Sequence, residues 1–168
     1  MCLFIATVAS YSLLALLPAD SQGANSVKGS SEKGRCKVLE KRLEEDDPEY
    51  DTSIIRFYYN KTLCVCLDDL VKKGEENAYQ RFHDCVTQCQ TGQGAPRCVQ
   101  KQTSDCSGGD DCDEFFTYDV QLKKCIPIQT TYTNYIANAS HNIFLREQYC
   151  QNDCSGFTED DVCGTKNS

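Results

Sequence analysis

A repeated cysteine spacing constrains this chain more than any other feature. Cys85-x3-Cys89-x8-Cys98 recurs as Cys150-x3-Cys154-x8-Cys163, each preceded by Asn-x-aromatic at the same distance: Asn77-x-Tyr79 and Asn142-x-Phe144. Register kept over some twenty residues is the mark of an internal repeat. The x3 gap sets two sulfurs one turn apart on one helix face, so each helix can be stapled twice. The twelve cysteines of the repeat fall into two sets of six: Cys36, Cys64, Cys66, Cys85, Cys89, Cys98, and Cys106, Cys112, Cys125, Cys150, Cys154, Cys163. Each set spans about sixty residues, too few for a generous core. Disulfides, typically worth ~2–4 kcal/mol each, would supply much of the missing stability.

That many cysteines in 168 residues points to an oxidising compartment and a secreted, extracellular chain. Zinc is not expected, because C-x2-C knuckles are missing and only two histidines occur. Residues 2–17 are apolar and uncharged, and small and polar residues follow Pro18. This is the shape of a signal peptide and is short for a membrane span. A signal over 1–23 and a flexible leader over 24–35 are expected. Removing Cys2 with the signal turns an odd cysteine count into an even one. The formal net charge of −8 argues against nucleic acid and anionic membranes as partners. Sequons at Asn60-Lys-Thr62 and Asn138-Ala-Ser140 are candidate glycosylation sites.

Aromatic and β-branched residues predict strands over 54–63 and 115–122, with returning strands over 65–71 and 126–135. Short helices are expected over 79–90 and 145–152, and a polar linker over 99–105. The fold class is therefore α+β, small and disulfide-rich, with two units over 36–98 and 106–163, each a twisted hairpin followed by a short helix.

A hairpin, then Asn-x-aromatic, then a helix ending in C-x3-C resembles the Kunitz (pancreatic trypsin inhibitor) family. The residues that carry the likeness are Ile54-Ile-Arg-Phe-Tyr-Tyr-Asn60, the Cys64 to Cys85 spacing, Asn77 and Tyr79, and in the second half Tyr118, Cys125, Asn142 and Phe144. Tandem units of this kind look most like salivary proteins of ticks and other blood feeders. The resemblance implies Cys64–Cys85 and Cys125–Cys150 between helix and hairpin, and Cys36–Cys89 and Cys106–Cys154 between termini and helix. Cys66–Cys98 is then the remaining pair of the first half, and Cys112 and Cys163 remain in the second. Cys106 and Cys112 could exchange partners, since sequence does not fix connectivity.

The resemblance also implies serine protease inhibition as the nominal activity, with reactive-loop positions near Asp51 and Asp110. Both loops are acidic, Glu44-Glu-Asp-Asp-Pro-Glu-Tyr-Asp51 and Gly108-Gly-Asp-Asp-Cys-Asp-Glu114. A carboxylate opposed to the buried Asp of a trypsin-like pocket is repelled and desolvated. Inhibition through another surface is expected instead, such as an acidic loop on the basic exosite of a host serine protease. The alternative is a non-inhibitory binding module, an ion-channel or receptor ligand. No cofactor and no catalytic residue are expected, and the chain reads as a monomer. His83-Asp-Cys85 faintly resembles a secreted phospholipase stretch, but the adjacent cysteines and Gly-rich calcium loop of that family are missing, so His83 reads as an exposed helix histidine.

Overall fold

The computed structural model describes residues 36–39, 41–102, 104, 106, 111–138 and 140–165. The signal peptide and leader expected over 1–35 lie outside these. The architecture is a small α+β fold with two antiparallel two-stranded sheets and short helices. Strand β1 (Ile54–Asn60) pairs with β2 (Val65–Val71), and helix α1 (Phe82–Cys89) follows. Strand β3 (Cys112–Asp119) pairs with β4 (Lys124–Thr131), followed by α2 (Tyr132–Ala137) and α3 (Glu147–Cys154). The aromatic after each Asn-x docks on the hairpin as an extra rung: Phe57 bridges Tyr79, and Phe116 bridges Phe144.

Both hairpins turn by the same device. The Asn60 side-chain oxygen accepts from the Thr62 and Leu63 amides, each at 3.0 Å, and Asp119 does so from Gln121 and Leu122, each at 2.9 Å. These Asx contacts close the turn before the chain reverses. Four residues beyond, Cys64 and Lys123 both take a left-handed backbone, φ 55° in each. Asn60 thus corresponds to Asp119, Cys64 to Lys123, and Cys66 to Cys125.

That correspondence corrects the expected bridges. Cys36–Cys89 and Cys125–Cys150 form as expected. Cys85, however, joins Cys66 and not Cys64. Cys66 is buried opposite Tyr59 within the sheet, whereas Cys64 is at the exposed hairpin tip, its Sγ 3.5 Å from the Lys61 carbonyl. Cys98 bridges Cys154 across the halves, which replaces both Cys66–Cys98 and Cys106–Cys154. Cys106 joins Cys112, six residues on, so Cys112 is not left for Cys163. Cys163 is itself disulfide-bonded.

Element boundaries also differ: β1 ends at Asn60 and not at 63, and β3 runs over Cys112–Asp119 and not over 115–122. The strand expected over 126–135 stops at Thr131, whose hydroxyl accepts from the Asn134 amide at 3.1 Å and caps α2. Helix α1 begins at Phe82 and not at Tyr79, because Tyr79 is held extended against Phe57, with bonds of 2.9 and 2.7 Å.

The halves share one core. Phe57, Tyr79, Cys85 and Val86 pack in the same cluster as Tyr118, Phe144, Phe157 and Val162. An aromatic ladder runs from Phe57 to Phe82 (5.3 Å between centroids) and on to Phe157 (5.7 Å). His83 meets Phe157 edge-on at 4.9 Å and lies 3.8 Å from Asp161. Only 22% of its side chain is exposed, so it is a packing residue between the halves and not the exposed helix histidine expected. The segments after α1 and α3 lie against each other as well. Ala95 donates to the Val162 carbonyl at 2.6 Å and Thr165 to the Gly92 carbonyl at 2.8 Å. A Cβ on Gly94 would sit 2.2 Å from the Gly164 amide nitrogen, so this approach admits no side chain.

Candidate binding surface

Asp51 stands exposed in a single 3-10 turn, Tyr50–Thr52, at the end of the acidic loop. The whole segment is built of i→i+3 turns: Asp47 N to Glu44 O, Tyr50 N to Asp47 O, Thr52 N to Glu49 O and Ser53 N to Tyr50 O, all 3.0–3.2 Å. Proline at 48 suits such a turn, since it presets φ and has no N–H to satisfy. The loop is therefore coiled, whereas a substrate-like loop is extended so that its backbone can pair with a protease as a strand.

Asp47 organises this coil. Its carboxylate accepts the Glu44 amide at 2.8 Å and meets Lys41 at 3.3 Å. The backbone bond first, then the lysine bond, holds its pKa below the ordinary carboxylate value. The loop is tied to the first hairpin by Lys72 with Glu49 (3.0 Å) and Arg42 with Asp69. Arg42 also lies 6.0 Å above the Tyr58 ring. Upstream, the Cys36–Cys89 bridge and the Lys37 amide on the Tyr79 hydroxyl (2.7 Å) hold the segment to α1. Glu44, Glu45, Asp46 and Asp51 remain exposed on the outer side. The result is a braced surface that presents carboxylates.

Asp110, the counterpart expected in the second half, lies outside the described residues. Cys106 and Cys112, six residues apart in sequence, are bridged.

Of the two sequons, Asn60 offers its oxygen to the hairpin turn. Asn138 is engaged through its amide nitrogen, which donates to the Asn134 carbonyl (3.0 Å) and Asn134 Oδ1 (2.5 Å), while its oxygen meets His141 Nδ1 at 2.8 Å.

The repeated asparagines diverge. Asn142 is buried and grips β3 through the Tyr118 amide (2.9 Å) and carbonyl (2.8 Å), reaching also to the carbonyls of Cys98 (3.0 Å) and Gln100 (3.1 Å). Asn77 is only half-buried. Sequence reasoning missed Arg97, which clamps the halves. Its guanidinium lies 4.4 Å over the Phe144 ring, donates to the His141 carbonyl (3.0 Å) and meets Asp153 at 3.0 Å. Desolvation pushes the Asp153 pKa up to about 6; Arg97 opposes that shift and Asp68 adds to it. No signal short of the fold marks Arg97, since its partners lie 44 and 56 residues away.

Cys66, Cys85 and Cys89 bring three sulfurs within 4.8 Å, but all three are spent in the Cys66–Cys85 and Cys36–Cys89 bridges and offer no thiolate. Among the described residues no helix is long and apolar enough to cross a membrane. No family model matches the chain, and no curated protein matches it.

Proposed function

We propose that this chain is a secreted, tandem Kunitz-type protein that binds a serine protease away from its active site, through the acidic loop 44–51. Reading the units from 36 to 89 and from 98 to 154 gives each the same two bridges. Cys66–Cys85 and Cys125–Cys150 join hairpin to helix, and Cys36–Cys89 and Cys98–Cys154 join the start of the unit to the helix end. The disulfide pattern supports the Kunitz reading better on these boundaries than on 36–98 and 106–163.

The observation that carries the mode of binding is the coiled, carboxylate-rich loop around Asp51. It can neither add a strand to a protease cleft nor place a cation in a pocket built on a buried Asp. A braced anionic surface instead suits a basic exosite, where long-range attraction speeds encounter and fixes orientation. The test is binding of the oxidised, exported chain to a panel of serine proteases, each with its active site free or sealed by a small covalent inhibitor. Binding should persist on a sealed enzyme that has a basic exosite, and weaken as salt rises. Binding that vanishes on sealing, or no binding across the panel, would overturn the reading.

A further inference from the structure

We propose that the cleft between the start of α1 and the tip of the second hairpin binds a short sugar carrying sulfate or phosphate esters. Its volume is about 350 Å³, within the usual range for small-molecule sites, and it spans the two halves. Arg81 comes from the first half, Lys123 and Lys124 from the tip of β3–β4, and Glu147 from α3. The walls are held in place. Cys125–Cys150 ties the hairpin tip to α3, and the contact of Phe82 with Phe157 sets the start of α1 against the segment after α3.

Charge is the first observation. The chain carries a formal −8, yet three cations and one carboxylate line this cleft. Lys123 and Lys124 are exposed, and among the described residues neither has an ion pair. Asp119 stands opposite Lys124 in the ladder, but its Oδ1 accepts the Gln121 and Leu122 amides of the turn. Glu147 accepts from the Gln151 side chain at 2.8 Å. Arg81 is oriented by Asp84, to which its Nε and Nη2 donate at 2.8 and 2.9 Å, leaving Nη1 for a ligand. Arg81 is also the N-cap of α1, so the positive end of that helix adds to the same field.

The second observation is the chemistry of the wall. Apart from Cys125, the described lining residues are all polar or charged, and Gln80, Asn152 and Ser155 add amide and hydroxyl groups to the cations. An apolar ligand gains little on such a wall, whereas a polyhydroxy body meets both donors and acceptors. Ester oxyanions, whether sulfate or phosphate, take charge-assisted bonds from ammonium and guanidinium groups. Size decides the rest. The acidic molecule as a whole repels an extended polyanion or an anionic membrane, so attraction is confined to a ligand short enough to sit inside the cleft.

The experiment is calorimetric titration of the oxidised full chain with a sulfated heparin disaccharide, with fructose bisphosphate and with the same disaccharide free of sulfate. An anionic sugar should bind one-to-one and more weakly as salt rises, the tighter of the two identifying the ester, and the unsulfated sugar should not bind. Lys124→Gln should weaken binding several-fold, and Lys123→Asn with Lys124→Gln together about tenfold, the scale of exposed ion pairs. Asn is chosen at 123 because it tolerates the left-handed φ of 55° there. Glu147→Gln should tighten binding, since it removes the opposing charge and keeps an acceptor for Gln151. Lys72→Gln makes the same change of net charge beside the acidic loop and should leave the affinity unchanged. No saturable binding of either anionic sugar, equal binding of the unsulfated sugar, equal losses in Lys72→Gln and Lys124→Gln, or no gain in Glu147→Gln would overturn the proposal.

Discussion

Arg97 joins three partners from the second half, Phe144, His141 and Asp153. A planar guanidinium can lie flat on Phe144 while donating sideways to His141 and Asp153; an ammonium cannot do both. Arg97→Lys should therefore destabilise the oxidised protein by about 1–3 kcal/mol, the cost of charged hydrogen bonds lost at a half-buried site. Guanidinium unfolding midpoints at constant m would measure it, and an unchanged midpoint would show that the clamp contributes nothing.

Its partner Asp153 gives a pH dependence of defined sign. The native pKa is about 6 against an ordinary value of 3.8. Between these values the native state holds a proton that the unfolded chain has released. Stability from this group is thus fully present below about pH 4 and is lost as pH rises through 6. Asp153→Asn should remove that fall from a plot of unfolding midpoint against pH over 4–7, leaving any other slope in place. The two sequons separate at this scale as well. The Asn138 amide nitrogen, where a glycan would attach, is committed to Asn134, while the Asn60 contacts use only its oxygen. In protein expressed through a secretory pathway, glycan removal should shift the mass by one chain, and Asn60→Gln should abolish that shift.

At the scale of elements, the hairpins and helices were legible because their causes are local. Strand β2 spans the expected 65–71, and both helices lie inside their expected ranges or within two residues of them. What sequence could not fix was where a local pattern yields to a neighbour. Thr131-Tyr-Thr-Asn134 reads as strand by β-propensity, yet the Thr131 hydroxyl caps a helix there. The cysteine choice at the first hairpin has the same character. Cys64 and Cys66 are two residues apart, and counting to Cys85 favours Cys64. Matching Asn60 with Asp119 places Cys64 on the left-handed turn position of Lys123 and Cys66 within the sheet. The signal was present, but it is a turn signal and not a cysteine count. Replacing Asp119 by Ala should loosen the second hairpin turn by about 1 kcal/mol, since it removes two side-chain-to-backbone bonds at an exposed site; hydrogen exchange of the Gln121 and Leu122 amides would report it.

For the whole molecule, the decisive feature is that the repeat does not produce two independent beads. Phe157 reaches from the second half onto Phe82 and His83 of the first, fully buried. Phe157→Ala should cost about 3–5 kcal/mol, the usual range for emptying a large aromatic site. The loss should appear as one unfolding transition and not as the melting of one half alone. This union was invisible in the sequence because it rests on contacts of long separation, such as Ala95 with Val162 and Gly92 with Thr165.

The bridge that sets the unit boundaries, Cys98–Cys154, is open to direct inspection. Proteolysis of the unreduced, alkylated protein followed by mass spectrometry should recover a peptide pair linking Cys98 to Cys154, together with one linking Cys66 to Cys85. Recovery of Cys98 joined to Cys66, or of Cys154 joined to Cys106, would contradict the unit boundaries of 36–89 and 98–154.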